Sequence, residues 1–171
     1  QTKGRGRNLK KWQSPKYENI YMSISFSTNQ DLKFFSSFSL VTALSVQKAL
    51  TKHKFDTKIK WPNDIYVNSK KVGGILIETL SKDKNNIVVV GIGLNVFMKS
   101  NSKIDREWTS LILENESISI DRNKIISDIL NELLVDKKTF EERGFGVFSN
   151  KFNELNILKN KKVSLSNSQY D

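Results

Sequence analysis

Apolar and polar residues alternate from Asn19 to Ser27 (NIYMSISFS), and this period of two predicts a strand. From Asp31 to about Lys52 the period changes. Phe34, Phe35, Phe38, Val41, Leu44 and Ala49 recur at three- to four-residue spacing, which predicts an amphipathic helix. Three short strands follow, at Lys58–Trp61, Ile65–Asn68 and Val72–Leu80, with turn chemistry at Pro62-Asn63-Asp64 and Asn68-Ser69-Lys70. Ser81–Asn86 reads as a polar hairpin loop, and Ile87–Val96 (IVVVGIGLNV) as a buried strand broken by glycine. Residues 99–118 show no regular pattern. Asp121 then stands as the N-cap of a helix with Ile125, Ile126, Ile129, Leu130, Leu133 and Leu134 on one face, and a second helical stretch follows Gly146. Residues 1–18 (QTKGRGRNLKKWQSPKYE) have no apolar period and read as a loop, while the final LKNKKVSLSNSQYD begins a strand. One early helix, a run of hairpin strands and later helices predict an α+β fold with a mixed, largely antiparallel sheet covered by helices.

Composition narrows the class. The 171 residues include ten Phe, three Trp and four Tyr, too aromatic for a disordered chain. No apolar run approaches the roughly 20 residues that span a bilayer. With no cysteine and only His53, a disulfide framework, a thiolate metal site and a multi-histidine centre are excluded. The chain reads as a soluble protein of a reducing compartment.

The formal net charge of +10 resides in the first 72 residues, where twelve Lys and two Arg face only Glu18, Asp31, Asp56 and Asp64. Such asymmetry points to an anionic partner. Lysine richness alone fits a general compositional bias. Arginine does not: the chain has five, and two of them, Arg5 and Arg7, stand beside Gly4 and Gly6. A guanidinium fork binds carboxylate or phosphate bidentately, where an ammonium offers a point charge. All eight glycines fall in close pairs, Gly4/Gly6, Gly73/Gly74, Gly91/Gly93 and Gly144/Gly146, and the last pair is explained by a turn.

Three constellations carry candidate chemistry. In the first, Gln1-Thr2-Lys3-Gly4-Arg5-Gly6-Arg7 can wrap an anion, with Trp12 as a stacking face or lid and Ser14-Pro15 behind it. A solvated basic loop or RNA-binding arm would look the same. In the second, Lys60-Trp61-Pro62-Asn63-Asp64, a strand-end ammonium is fixed beside a rigid turn, where it could stabilise developing negative charge, although a lone strand-end lysine is commonly a surface charge. In the third, Lys71-Val72-Gly73-Gly74-Ile75-Leu76-Ile77-Glu78 and Gly91-Ile92-Gly93-Leu94-Asn95-Val96 place glycines inside apolar strands, which suits close approach of a ligand or another backbone. Asn95 could serve a phosphate or a metal-bound water, or simply cap a turn.

In that order, QTxGRGR…W.SP, KWPND, KxxGGILIE and GIGxNV, the chain resembles the catalytic domain of the biotin protein ligases (biotin–[acetyl-CoA-carboxylase] ligases), from Gln1 to about Leu158. The resemblance implies a fold like that of class II aminoacyl-tRNA synthetases. It implies activation of biotin by ATP with Mg²⁺ to biotinyl-5′-AMP, followed by transfer to one lysine of a biotin carboxyl carrier protein in the cytoplasm. Gln1, Gly4, Arg5, Gly6 and Arg7 match the biotin- and adenylate-binding loop, and Lys60 matches the motif lysine at the biotin carboxylate. Gly73 and Gly74 would wall the biotin, Trp12 would cover the adenine side, and Asn95 would lie near the phosphates and Mg²⁺, which no protein ligand holds directly. Arg5, Arg7 and Lys60 are the catalytic candidates.

A homodimer is an expectation of the same kind. Contact with DNA and membrane is not expected. The resemblance further implies that residues 1–158 are a catalytic domain lacking its N-terminal part, and that 159–171 open a small C-terminal β-barrel domain. Leu9 and Lys10 stand where the family's loop usually continues with glycine and arginine, and Tyr17 where it usually has glycine. Ser27-Thr28-Asn29 repeats the letters of a family biotin-contact segment at the wrong place and reads as coincidence. Two other readings compete: a lipoate ligase or transferase, and a basic nucleic-acid-binding module without catalysis.

Overall fold

A computed structural model describes residues 1–82, 85–101, 103–104 and 107–164 of the chain. Five strands, β1 (Ile20–Thr28), β2 (Lys58–Lys60), β3 (Asp64–Val67), β4 (Lys70–Lys82) and β5 (Asn85–Leu94), form one sheet in the order β1-β5-β4-β3-β2. Every ladder in it is antiparallel. The expected mixed character survives only as isolated parallel bridges, Lys71 with Trp108 and Ile59 with Asn156. The second of these, together with a 3.0 Å bond from the Ile157 amide to the Ile59 carbonyl, covers the outer edge of β2, an edge that would otherwise offer unpaired backbone groups.

The period-two pattern sorts the sheet into two faces. Ile20, Ile65, Ile75, Val88, Val90, Ile92 and Leu94 are buried on one of them. Against that face lies α1 (Phe38–Lys52), in which Phe38, Val41, Ala43, Leu44, Val46, Ala49 and Leu50 are all buried. A helix apolar nearly all round must be covered on both sides, and α3 (Arg122–Arg143) supplies the second cover through Ile125, Ile129, Leu133 and Phe140. Phe140 closes an aromatic cluster, with ring centroids 4.6 Å from Phe34 and 5.1 Å from Phe38. The abundant phenylalanines are thus core. The helix expected from Asp31 begins as a 3-10 stretch at Leu32–Ser37, capped by Asp31, before α1 takes over.

Within the segment read as irregular, α2 (Leu111–Glu114) makes a single turn, and α4 (Ser149–Leu155) follows the glycine-flanked 3-10 turn at Phe145–Phe148. After α4 the described chain has no strand through residue 164; residues 165–171, most of the expected barrel segment 159–171, lie outside the described residues. Residues 83–84, the centre of the expected hairpin loop, lie outside them as well.

Asp121 caps α3 as expected, its Oδ1 accepting from the amides of Asn123 at 2.8 Å and Lys124 at 3.2 Å. Replacing Asp121 by Ala should cost about 1 kcal/mol, read as a lower urea midpoint at unchanged slope, while Asp121→Asn should retain most of it.

Candidate active site

The sheet face turned away from α1 carries a row that crosses four strands: Tyr21 on β1 pairs with Gly93 on β5, which pairs with Gly74 on β4, which pairs with Asp64 on β3. Two adjacent glycines give this face a floor without side chains. Residues 1–18 fold over it and enclose a cavity of about 830 Å³, within the range of small-molecule sites.

The loop has its own internal bonding. The Trp12 amide donates to the Gly4 carbonyl at 3.0 Å and the Gly6 amide to that of Lys10 at 2.7 Å, while Arg5 and Lys11 form a bridge. The turn between them runs through Arg7–Leu9, with Asn8 at a φ of 53°. Gly4 is required for closure, since a Cβ there would stand 2.6 Å from both the Ser14 hydroxyl and the Trp12 carbonyl oxygen. Ser14 also donates to Gln1 Oε1 at 3.1 Å. Trp12 lies on the floor itself: a Cβ on Gly93 would fall 2.7 Å from the indole, and one on Gly74 3.3 Å. Its Nε1 is buried and finds no hydrogen-bond partner among the described residues. A buried donor of this kind is costly until something accepts from it.

Gln1, Arg5, Gly6, Arg7, Trp12, Gly74 and Asn95 all line the cavity. Gly4 and Gly73 stand behind the lining. Gly73 packs against β5, where a Cβ would meet the Gly93 carbonyl at 2.9 Å. Asn95 is buried and its amide is committed, Nδ2 donating to the Thr109 carbonyl at 3.0 Å and Oδ1 accepting from Asn19 at 3.4 Å. It holds two chain segments together at the cavity's back. Among the described residues no cluster of His, Cys, Asp and Glu is suited to hold a metal ion.

Lys60 is placed differently from the expectation. It lies on the edge strand β2, one strand beyond Asp64 in the same row, and is absent from the cavity lining. Its ammonium sits 5.6 Å from the Tyr66 ring centroid. The lysine that the sheet itself contributes to the lining is Lys71, and a register shift puts it there. Between β3 and β4 one step, Ile65 to Tyr66, is matched by two, Gly73 to Lys71. Strict alternation from Gly74 would send Lys71 to the core face; the extra residue, Val72, turns it to the cavity face, as β-bulges do near sites. There Lys71 Nζ pairs with Asp64 Oδ1 at 2.5 Å and stands 5.3 Å from the Trp12 ring centroid. Both partners are largely buried, so the pair sits in a fixed position.

Lys71 and Asp64 were visible in the motifs as letters without roles. Trp108, also in the lining, lay in the segment without pattern, and its rarity was the only signal. Tyr21 completes the wall. Burial holds its phenol above the ordinary range; a hydrogen bond from Asn19 opposes this and the charge of Glu18 adds to it. The loop contributes Lys3, Arg5, Arg7, Lys10 and Lys11 to the lining, joined by Lys71 and Lys103, against only Asp64 and Glu78 among its described residues. Arg5 spans the mouth to Glu78 at 2.9 Å, an exposed pair that adds little stability.

A model of the biotin/lipoate A/B protein ligase family matches residues 1–95, more than half of the chain. The chain belongs to that family. It is 31% identical, over 96% of its length, to the bifunctional ligase/repressor BirA of Escherichia coli, covering 52% of that protein. It is 33% identical over 78% of its length to the biotin–[acetyl-CoA-carboxylase] ligase of Mycobacterium tuberculosis, covering 50%. The chain thus spans about half the length of these relatives. Among solved structures, the Aquifex aeolicus biotin protein ligase in complex with biotin and ATP matches 92% of the chain and 66% of its own at 34% identity, with a TM-score of 0.76. The Leishmania major biotin protein ligase in complex with biotinyl-5-AMP matches the whole chain and 74% of its own at 26% identity, also with a TM-score of 0.76. The α+β architecture of this ligase-family chain is therefore that of biotin protein ligase catalytic domains.

Because Gly93 does not adopt a positive φ, Gly93→Ala isolates the floor contact. The new methyl should lift Trp12, giving a red-shifted emission in a Trp61→Phe, Trp108→Phe background and a stability loss of about 1–3 kcal/mol.

Proposed function

We propose that the chain carries the catalytic site of a biotin protein ligase: it joins the biotin carboxylate to the α-phosphate of ATP and passes the biotinyl group to a lysine of a carrier domain. The observation that carries this reading is the convergence of the Arg5/Arg7 loop and the Lys71–Asp64 pair on one glycine-floored cavity. The relative from Mycobacterium tuberculosis, named a biotin–[acetyl-CoA-carboxylase] ligase, and the solved biotin protein ligase complexes with biotin and ATP or with biotinyl-5-AMP support biotin over lipoate. The loop cations line a concave site rather than a flat basic face, which disfavours the nucleic-acid reading.

Adenylation brings two anions together, so the site must offset their repulsion before chemistry can begin. A carboxylate oxygen attacks the α-phosphorus and pyrophosphate leaves. Lys71, held by Asp64, supplies a positioned cation where the two anions meet, and the guanidinium groups of Arg5 and Arg7 suit phosphate oxygens. Pre-set charges of this sort do not have to reorganise as the reaction proceeds. In the second step an amine of the carrier attacks the acyl carbon of the mixed anhydride and AMP departs. The folded loop and Trp12 keep water from the anhydride in the interval. Mg²⁺ would arrive on the nucleotide's phosphates, since the described residues offer no carboxylate cluster for it and the two carboxylates in the lining already face cations. Among the described residues no helix is long and apolar enough to cross a membrane.

Biotin and ATP should yield biotinyl-AMP and pyrophosphate, and lipoate should not substitute; no pyrophosphate release with biotin would sink the proposal. Lys71→Met should slow adenylate formation about 10²-fold or more, the scale of removing one electrostatic group from a polar transition state. Lys60→Met should leave the rate within about twofold, because Lys60 lies outside the cavity lining.

A further inference from the structure

The spacing of α3 puts Ile125, Ile126, Ile129, Leu130, Leu133 and Leu134 on one face, but the face that meets α1 coincides with it only in part. Ile125, Ile129, Leu133 and Phe140 are buried there, and so is Asp136, 3% exposed within the same stripe. Ile126 and Leu130 are only partly buried, and Leu134, two residues from Asp136, is 64% exposed. At about 100° per residue, the apolar residues of α3 centre roughly 40° away from the set that is buried. A carboxylate lies inside while a leucine of the same turn lies in water. Apolar burial alone would turn the helix the other way.

Partners on α1 oppose that turn. The Ser45 hydroxyl donates to Asp136 Oδ2 at 2.8 Å and Lys48 Nζ to Oδ1 at 2.6 Å, so both carboxylate oxygens are satisfied. The row continues along the antiparallel helix pair: Lys52 meets Glu132 at 2.7 Å, and His53 Nε2 stands 2.8 Å from Asp128 Oδ2. α3 supplies every carboxylate of the row. A buried carboxylate stripped of its partners is costly, whereas an apolar group of like volume in its place commonly loses no stability. Stability therefore does not account for an aspartate in the stripe; a need for one particular setting of the helix does.

We infer that the Ser45–Asp136–Lys48 cluster is a rotational lock: it selects which side of α3 faces α1 and holds the helix against the turn its apolar residues favour. The lock leaves Ile126, Leu130 and Leu134 on the outer flank and brings Asp128 and Glu132 to His53 and Lys52. This goes beyond the ligase reading and does not need it, because the lock lies in the helical layer on the core side of the sheet and includes no residue of the cavity lining.

The chain has no cysteine, so a single introduced thiol reports the rotation through its labelling rate. Leu130→Cys and Glu132→Cys, made separately, probe opposite flanks of the buried stripe. When Ser45→Ala/Asp136→Ala is added, α3 should turn toward its apolar face: the thiol at position 130 should label about threefold more slowly or less, and the thiol at 132 faster by a like factor. The exchange Ser45→Asp/Asp136→Ser keeps a carboxylate and a hydroxyl facing each other across the helices and should return both rates to their starting values. A role in stability alone would quicken both thiols together as the helix loosens, or change neither. Either pattern, in a variant whose helix content by circular dichroism matches the parent, would overturn the inference. If Ser45→Ala/Asp136→Ala fails to fold, Lys48→Met, which removes only the ion pair, decides by the same opposed changes. The readout requires neither biotin nor ATP.

Discussion

One additional residue in β4 determines what kind of site the sheet can offer. In a ladder without it, Lys71 would point among the isoleucines of the core face, where an ammonium is not tolerated without a partner. With Val72 bulged, the chain keeps apolar residues inward at Ile65, Val72 and Ile75 and still presents Lys71 beside Asp64 on the other face. The core and the cation are compatible only through this irregularity. The glycine floor beside it is the same kind of device, since Gly74 and Gly93 leave out side chains where a ring or a ligand must touch backbone.

Much of this architecture could be read directly from residue pattern. The alternation in β1, the apolar run of β5 and the spacing of Phe38, Val41 and Leu44 in α1 each carry a period that side-chain burial enforces, so the elements fall within a few residues of expectation. Asp121 was legible because capping is local chemistry. The loop glycines and arginines were legible because their rarity in this chain made their clustering visible. Lys60 and Lys71 illustrate the limit. Both are strand lysines beside turn or glycine residues, and nothing local distinguishes an edge strand from an inner one or reveals a bulge. That choice is made by strand order, which is set by long-range pairing. Trp108 was illegible for a similar reason: it reaches the cavity through a bridge to Lys71, from a segment with no period of its own.

Charge follows the same division between local and global. The excess of basic residues in the first 72 positions was countable, but its meaning depended on where the fold sent each one. Five loop cations gather over one floor with Lys71 and Lys103, while other basic residues pair along the helices, as Lys48 does with Asp136 at 2.6 Å and Lys52 with Glu132 at 2.7 Å. The first group concentrates positive potential in a concavity, where low-dielectric walls strengthen it. The second fastens α1 to α3. Net charge alone would not separate an electrostatic site from helix packing.

The self-bonded hairpin formed by Gly4, Gly6, Lys10 and Trp12 has a thermodynamic corollary. A coil that ordered only around its guest would charge the full loss of backbone freedom against affinity. Here the segment's own short-range bonds, Gly6 to Lys10 at 2.7 Å and Trp12 to Gly4 at 3.0 Å, form with the closed shape and offset part of that loss. Binding strength then depends on how well the flap bonds to itself as well as on what it touches.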